Sequence, residues 1–291
     1  MKYDALFLGN YTKDTIVSPA GTRVVHGGAF YYGANVASRL GLRTAAVTRL
    51  ARQDFAVIDE LTALGVRVRA EAVPRSTALR LEYPDSDPDH RRILVESSAG
   101  SILPDQVEGL EARLACVGAS FRGEVGLEVL QRLARQGSDI ALDVQGFVRV
   151  VRQGRLEYDA WTERGEILSL VRWLKADAVE AAMLAGTDNL EEAARVLHQL
   201  GPREIVLTHR DGVLVFDGRA FHSAALRPQR LVGRSGRGDS CIAAYACRRL
   251  EAEPAQAIVW AAAVTSLKME SDGPFRHDRA AVENLIRERY A

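Results

Sequence analysis

The sequence is poor in the features that mark several common classes of protein. Its 291 residues include three cysteines, Cys116, Cys241 and Cys247, which cannot all pair with one another and do not have the spacing of metal ligands. Neither a disulfide framework nor a zinc site is indicated, and we expect buried, reduced thiols in a cytoplasmic protein. Lys plus Arg number 38 and Asp plus Glu number 38, so no excess of positive charge predicts nucleic-acid binding.

Long apolar runs are also missing. No stretch approaches the roughly 20 apolar residues of a membrane-spanning helix, so no membrane partner is predicted. The segment 1–10 carries Asp4 and only a short apolar run, which favours a first β-strand over a signal peptide. With 47% apolar and 26% charged residues, the chain can bury one substantial core. We expect a soluble enzyme with a single domain over residues 1–291.

Short apolar runs alternate with helical patterns along most of the chain, which predicts an α/β fold with a mostly parallel sheet covered by helices. The predicted strands are 5–8, 44–48, 115–117, 140–142, 176–179, 204–208 and 213–216. The predicted helices are 34–40, 54–64, 125–135, 191–200, 239–250 and 255–269.

Two segments, at about 12–26 and 66–97, do not follow this alternation of strand and helix patterns. They predict a small β-sheet lid. The second alternates apolar and charged residues in Val66-Arg-Val-Arg69 and Leu79-Arg-Leu-Glu-Tyr83, with a polar turn at 85–89. Open α/β sheets bind ligands at the carboxyl ends of their strands, and a lid placed there would cover such a site. Because an exposed sheet needs its edges covered, we also expect a homodimer that forms through the lid.

A glycine-rich segment at 231–245 is the strongest functional signal. Gly233, Gly236 and Gly238 precede an apolar, alanine-rich helical pattern, and glycines at a helix N-terminus expose amides that favour an anion. Asp239 falls in the first helical turn, where a carboxylate beside an anion hole can accept a proton from an attacking hydroxyl.

Three other interpretations of this segment stay open. Asp239 or Ser240 could simply cap the helix. Arg237-Gly238-Asp239 could be an adhesion tripeptide. The glycines could belong to a dinucleotide-dependent dehydrogenase, although that fingerprint normally opens the first βαβ unit rather than lying near the C-terminus.

Four motifs follow one another along the chain. They are the pair Gly27-Gly28 with Arg39-Leu-Gly41, Lys175-Ala-Asp-Ala-Val-Glu180, Val206-Leu-Thr208 with Asp211-Gly212, and Gly236-Arg-Gly-Asp239. Together they make the chain similar to the PfkB (ribokinase-like) carbohydrate kinases. The resemblance covers essentially the whole chain and implies a ribokinase-like three-layer sandwich with a β lid, and an ATP-dependent kinase that uses Mg²⁺.

On the phosphate-donor side, the resemblance implies that Asp239 is the catalytic base. It also implies that the amides of Gly236, Arg237 and Gly238 bind the phosphoryl group during its transfer. Glu180 would orient water around Mg²⁺, the alternative being an exposed acid on a helix. The nucleotide would be bordered by Thr208 and Gly212, with the adenine flanked by Ala263, Ser266 and Leu267. For the last three residues, ordinary helix packing is the alternative.

On the acceptor side, the resemblance places Asp14 on the substrate hydroxyls, with Asn10 beside it, and brings the Gly27 and Gly28 backbone close to the substrate. A carboxylate is a natural hydrogen-bond acceptor for two adjacent hydroxyls. Asp14 could instead accept a hydrogen bond from the backbone of its own turn. The segment 142–149 resembles the Leu-Asp-x-x-Gly segment of inositol kinases, which makes Asp143, Gln145 and Arg149 candidate neighbours of the substrate.

The substrate that we expect is a neutral sugar or polyol. A pocket for an unphosphorylated ring could be lined by Phe30, Tyr31 and Tyr32, although these residues could instead pack in the core. No cluster of basic residues near them indicates a phosphorylated substrate. Inositol is the leading candidate. A nucleoside, a ketohexose and a sugar acid are the alternatives within the family.

Some positions depart from the family pattern. Gly233 stands where potassium-activated members have a cation-binding aspartate, so the resemblance does not predict potassium activation. Arg237 replaces an alanine, Asp177 replaces an asparagine near the expected metal site, and the turn after Thr208 is one residue shorter than usual. These departures leave open a sensor that binds nucleotide or sugar with little turnover.

Overall fold

The computed structural model describes residues 2–85, 92–233 and 235–290. Over these residues the chain forms fifteen strands, which in chain order are β1 (Tyr3–Leu8), β2 (Thr12–Ser18), β3 (Gly21–Gly27), β4 (Thr44–Leu50), β5 (Arg67–Ala72), β6 (Thr77–Glu82), β7 (Arg92–Ser97), β8 (Ala112–Val117), β9 (Asp139–Asp143), β10 (Arg149–Arg152), β11 (Arg155–Tyr158), β12 (Val171–Asp177), β13 (Glu204–Thr208), β14 (Gly212–Phe216) and β15 (Phe221–Ala225).

The described residues also form ten α-helices and two short 3-10 turns, Arg52–Asp54 and Pro104–Val107. The helices are α1 (Ala29–Arg39), α2 (Ala56–Ala63), α3 (Leu127–Arg135), α4 (Gln145–Val148), α5 (Arg164–Ser169), α6 (Ala178–Ala185), α7 (Leu190–Gln199), α8 (Arg237–Arg249), α9 (Pro254–Met269) and α10 (Arg279–Arg289). None of these helices is both long and apolar enough to cross a membrane.

The larger sheet has nine strands in the order β15-β14-β13-β12-β9-β8-β1-β4-β5. Its strands are parallel except for β14, which runs antiparallel to both of its neighbours. Strand β1 shows why the sheet is buried on both faces: Ala5 and Phe7 point into one apolar cluster, Leu6 and Leu8 into the other. Continuous apolar strands of this kind are typical of parallel sheets covered by helices on both sides.

Two apolar clusters make the fold a three-layer sandwich. One contains buried residues of α1, α2, α8, α9 and α10, and the other contains buried residues of α3, α5, α6 and α7. The predicted mostly parallel sheet with helices on both faces is therefore confirmed.

A second sheet has six strands in the order β10-β11-β7-β6-β2-β3. Its pairs are antiparallel except for β2 and β6. The predicted lid range needs correction, because β5 pairs in parallel with β4 inside the larger sheet. The smaller sheet instead gains β10 and β11, which the sequence analysis did not predict. Residues 86–89 of the predicted turn lie outside the described residues.

One predicted strand is wrong over half of its length. The segment predicted as a strand at 176–179 contains the end of β12 and the start of α6. Asp177 caps this helix: its carboxylate accepts a hydrogen bond from the Glu180 amide at 2.8 Å, and the Glu180 carboxylate accepts one from the Asp177 amide at 2.8 Å. This reciprocal capping box starts α6, whereas the apolar run alone predicts a strand.

Candidate active site

The carboxyl ends of the parallel strands converge on one cavity of about 270 Å³. Asn10 follows β1, Gly118 follows β8, and Asp143, Asp177 and Thr208 are the last residues of β9, β12 and β13. The opposite wall comes from the six-stranded sheet. The cavity therefore lies where ligands bind in open α/β sheets, beneath the second sheet.

The N-terminus of α8 forms one end of the cavity. Its N-cap is Gly236, in the left-handed conformation with φ 72°, and no side chain caps the helix. A Cβ at this position would collide with the ring of Tyr32, so glycine is required both by backbone angle and by space. The first amides of α8 have no partner within the helix, and Gly236, Arg237 and Gly238 all line the cavity. This end of the cavity is suited to an anion.

Asp239 lies in the first turn of α8 and lines the same cavity. Because no side chain caps α8, the capping interpretations of Asp239 and Ser240 do not hold. Burial raises the pKa of the Asp239 carboxyl to about 7, assisted by the nearby Asp143 carboxylate, while Lys175 opposes the rise. A carboxyl that titrates near neutral pH can both accept and release a proton under ordinary conditions.

The structure also brings Asn10, Asp14 and Gly28 to this cavity. Gly28 has φ 102°, and a Cβ there would collide with the Asn10 carbonyl oxygen. Gly27 is not among the lining residues but lies directly behind them, since a Cβ on it would be 3.1 Å from an Asp14 carboxylate oxygen. The two glycines thus allow the β3–α1 junction to pack against the segment that carries Asn10 and Asp14.

Asp143 and Gln145 also line the cavity, together with a lysine to which the sequence analysis gave no role. Lys175 on β12 is 3% exposed, and its Nζ lies 3.0 Å from Asp143 Oδ2. A Cβ on Gly238 would be 3.0 Å from the same Nζ, so the ammonium group faces the α8 N-terminus. The signal that could have revealed Lys175 is a charged residue between the apolar residues Leu174 and Ala176 of a strand.

Glu180 is fully buried and does not line the cavity, so the alternative of an exposed helix acid is wrong. One of its oxygens accepts from the Asp177 amide and lies 3.7 Å from Lys175 Nζ. The other accepts from Arg149 at 3.2 Å. Because Glu180 has no exposed surface and Arg149 and Lys175 balance its charge, the structure does not fit the expectation that this carboxylate orients water around a magnesium ion. No group of three or more potential ligands among the described residues forms a metal site elsewhere.

The residues predicted to border a nucleotide divide into two groups. Thr208 lines the cavity, whereas Gly212, Ala263, Ser266 and Leu267 do not. Ser266 is fully buried, and its hydroxyl donates to the Ala262 carbonyl at 2.7 Å and accepts from the Arg227 amide at 2.8 Å. The segment of α9 that was predicted to flank adenine is therefore packed in the core.

Of the three neighbouring aromatic residues on α1, Phe30 and Tyr31 belong to the core, and only Tyr32 reaches the cavity. The six-stranded sheet contributes an apolar wall that the sequence analysis did not assign to the site. This wall consists of Leu79, Leu81, Ile93 and Leu156 on the strands, with Tyr83 directly after β6. A cavity that combines an apolar wall with several polar groups can bind a compact polyol beside an anion.

Comparison with known proteins identifies the class to which this fold and site belong. The family model for pfkB family carbohydrate kinases matches residues 5–275. The chain belongs to this family, and it is a sugar or polyol kinase, a phosphotransferase with an alcohol group as acceptor. The dehydrogenase interpretation is thereby overturned.

Individual relatives are similar over most of their length. A cytidine kinase of Thermococcus kodakarensis is 27% identical over 252 residues, which cover 81% of this chain and 85% of the relative. A pyrophosphate-dependent kinase of the ribokinase family, solved with a pyrophosphate analogue and myo-inositol, is 32% identical with a TM-score of 0.88, covering 96% of this chain and 99% of that one.

A ribokinase of Arabidopsis thaliana, solved with ribose and ATP, is 19% identical with a TM-score of 0.79 and covers 98% of this chain and 99% of its own. This likeness shows the fold alone, and it confirms the predicted ribokinase-like architecture.

Proposed function

We propose that the protein transfers a phosphoryl group to a hydroxyl of a small cyclic polyol, with myo-inositol as the leading acceptor. The observation that carries this proposal is the position of Asp239. Its carboxyl lies in the first turn of α8, beside amides suited to an anion, and in the same cavity as Asn10 and Asp14. A proton acceptor, an anion hole and hydroxyl-binding groups are the parts that phosphoryl transfer to an alcohol needs.

In the proposed reaction, the acceptor hydroxyl gives its proton to the Asp239 carboxylate as its oxygen attacks phosphorus. The bond from phosphorus to the leaving phosphate oxygen breaks, and the leaving group departs with that electron pair. The amides of Gly236, Arg237 and Gly238 stabilise the charge on the transferring group. Lys175, beside Gly238, adds a fixed positive charge close to the same point.

Two features favour an uncharged acceptor. Asp14 and Asn10 offer oxygen acceptors to hydroxyl groups in the cavity, and Tyr32 with the apolar wall of the six-stranded sheet can cover the faces of a ring. A relative at 32% identity was solved with myo-inositol. Cytidine is the second candidate acceptor, because the cytidine kinase is 27% identical over 252 residues.

For the phosphate donor, we propose inorganic pyrophosphate ahead of ATP. The α9 residues predicted to flank adenine are buried, with the Ser266 hydroxyl already bonded to the protein. A donor without a base needs no such pocket. Relatives at 31% and 33% identity are pyrophosphate-dependent. ATP remains the second candidate, favoured by Thr208 at the edge of the cavity.

The six-stranded sheet fits the role of a lid that excludes water and so limits donor hydrolysis. Its strand β3 is an edge strand that pairs only with β2 among the described residues, and Val24 on it is 53% exposed. We propose that two copies associate through this sheet. Light scattering at micromolar concentration should give the mass of a dimer; a monomer would contradict this proposal.

The experiment that tests the proposed function is a grid of initial rates. Pyrophosphate and ATP, each with Mg²⁺, are combined with myo-inositol, other inositols, pentoses, hexoses, cytidine and sugar phosphates. The proposal expects the highest kcat/KM for pyrophosphate with myo-inositol. A higher kcat/KM for cytidine would show that the acceptor is a nucleoside. A higher kcat/KM for ATP would overturn pyrophosphate as the donor. Tight binding of donor and acceptor without product would indicate a sensor.

A further inference from the structure

A buried glutamate, Glu124, connects Asn10, which lines the cavity, to Thr77 in the six-stranded sheet. Glu124 lies in the loop between β8 and α3 and is 1% exposed. Its Oε1 accepts hydrogen bonds from Asn10 Nδ2 at 2.9 Å and from Thr77 Oγ1 at 3.0 Å. Its Oε2 accepts from the Ser120 amide at 2.6 Å. All three partners donate, so Glu124 acts here purely as an acceptor.

These bonds determine which way the Asn10 side-chain amide is turned. Asn10 Nδ2 donates to the Gly100 carbonyl at 2.8 Å as well as to Glu124. A backbone carbonyl and a carboxylate can only accept, so the atom between them must be the nitrogen of the amide. The oxygen, Oδ1, is therefore turned away from both. It is buried and has no hydrogen-bond partner among the described residues.

A buried acceptor without a partner needs an explanation, because such atoms are normally hydrogen-bonded. Asn10 lines the cavity together with Asp14 and Asp239, and the two Nδ2 hydrogens are already used. Oδ1 is thus the one atom of this side chain left to meet a ligand, and it can only accept.

We propose that Glu124 is a positioning residue, which fixes the Asn10 amide so that Oδ1 accepts a hydrogen bond from a hydroxyl of the acceptor substrate. This inference rests on the proposed function. It assigns to the acceptor site a requirement for a hydroxyl donor beside Asn10. A polyol analogue with fluorine in place of that hydroxyl would leave Oδ1 without a partner and should bind less well.

The same carboxylate links the two sheets. Thr77 is the first residue of β6, and its hydroxyl, besides donating to Glu124, accepts from the Ala99 amide at 3.1 Å. The position of the six-stranded sheet is thus tied through Glu124 to the orientation of Asn10. Loss of the carboxylate should therefore disturb acceptor binding and leave the α8 anion hole intact.

The test compares Glu124→Gln with Glu128→Gln, a substitution of an exposed glutamate four residues away on α3. Glutamine keeps the shape of Glu124, but one of its two oxygens becomes an NH₂ group that must face a donor. We expect the KM for the acceptor to rise about tenfold or more in Glu124→Gln, with the donor KM changed less than about twofold. Glu128→Gln should behave as the wild type.

A second readout does not depend on turnover. Both Asn10 Nδ2 hydrogens are hydrogen-bonded, so they should exchange slowly with solvent. NMR measures this exchange on the side-chain amide signal of Asn10, which is identified by its loss in Asn10→Ser. In Glu124→Gln this exchange should become faster. Unchanged exchange would overturn the link between Glu124 and Asn10 even in a protein without activity. Faster exchange with an unchanged acceptor KM would overturn the role in acceptor binding. A wild type that phosphorylates no acceptor would instead overturn the proposed function, and the amide exchange would still decide the link.

Discussion

Replacing Asp239 by asparagine should stabilise the protein, increasingly so as the pH rises. Burial and the neighbouring Asp143 carboxylate raise the pKa of Asp239 from 3.8 to about 7. Between these two values the folded protein holds a proton that the unfolded chain has released, so this carboxyl makes the protein less stable as the pH rises. Asparagine has a similar shape and carries no charge, so the variant lacks this loss.

The magnitude follows from the pH interval. Each pH unit over which the unfolded chain is ionised and the folded protein is not costs about 1.4 kcal/mol. The interval from about pH 5 to about pH 7 spans two such units, which sets a ceiling of roughly 3 kcal/mol. Asp239 lines a cavity that admits water, which weakens the effect. Over this interval we expect the free energy of unfolding of Asp239→Asn to rise by roughly 2 kcal/mol relative to that of the wild type.

Urea denaturation followed by circular dichroism measures this difference directly. Wild type, Asp239→Asn and Asp188→Asn, a change at an exposed aspartate, are unfolded at about pH 5 and about pH 7.5. Other titrating groups are common to all three proteins, so their effects cancel in the comparison. If the difference in free energy of unfolding between Asp239→Asn and wild type is the same at both pH values, the pKa of Asp239 is not raised by folding.

Two further predictions concern the pH dependence of activity and the core. Because a general base must be ionised to accept a proton, kcat/KM for the acceptor should rise with pH and level off above an inflection near 7; a flat profile between about pH 5.5 and 8.5 would contradict the assignment of Asp239. Glu204 accepts from Trp173 Nε1 at 3.0 Å and pairs with Arg249 at 2.7 Å, so Glu204→Ala should lower the free energy of unfolding by about 3–5 kcal/mol in urea denaturation. Exposed Glu166→Ala should change it by less than about 0.5 kcal/mol, and equal effects of the two changes would contradict the importance of the buried cluster.

The sequence predicted those parts of the site that depend on local chemistry. The glycines and Asp239 at the start of α8 are adjacent in the chain, and the need for exposed amides and a left-handed residue can be seen in their spacing. Asn10 and Asp143 were named from the resemblance to the PfkB kinases, and both line the cavity at the carboxyl ends of the parallel strands, where open α/β sheets bind ligands.

What the sequence could not show depends on partners that are distant along the chain. Glu180 was predicted to serve a metal, but Arg149 and Lys175 engage its carboxylate, and neither pairing has a local signal. The role of Glu124 depends on Asn10 and Thr77, which lie 114 and 47 residues away. Strand β5 was assigned to the lid because alternation predicts a strand without predicting its sheet.

The most direct test of the central claim is to follow the phosphomonoester product by phosphorus NMR for wild type, Asp239→Asn and Asp188→Asn, with the best donor and acceptor pair. We predict that Asp239→Asn lowers kcat by about 10²- to 10⁴-fold and that Asp188→Asn leaves kcat unchanged. Turnover by Asp239→Asn at the rate of the wild type would contradict the claim that this carboxylate takes the proton of the acceptor hydroxyl.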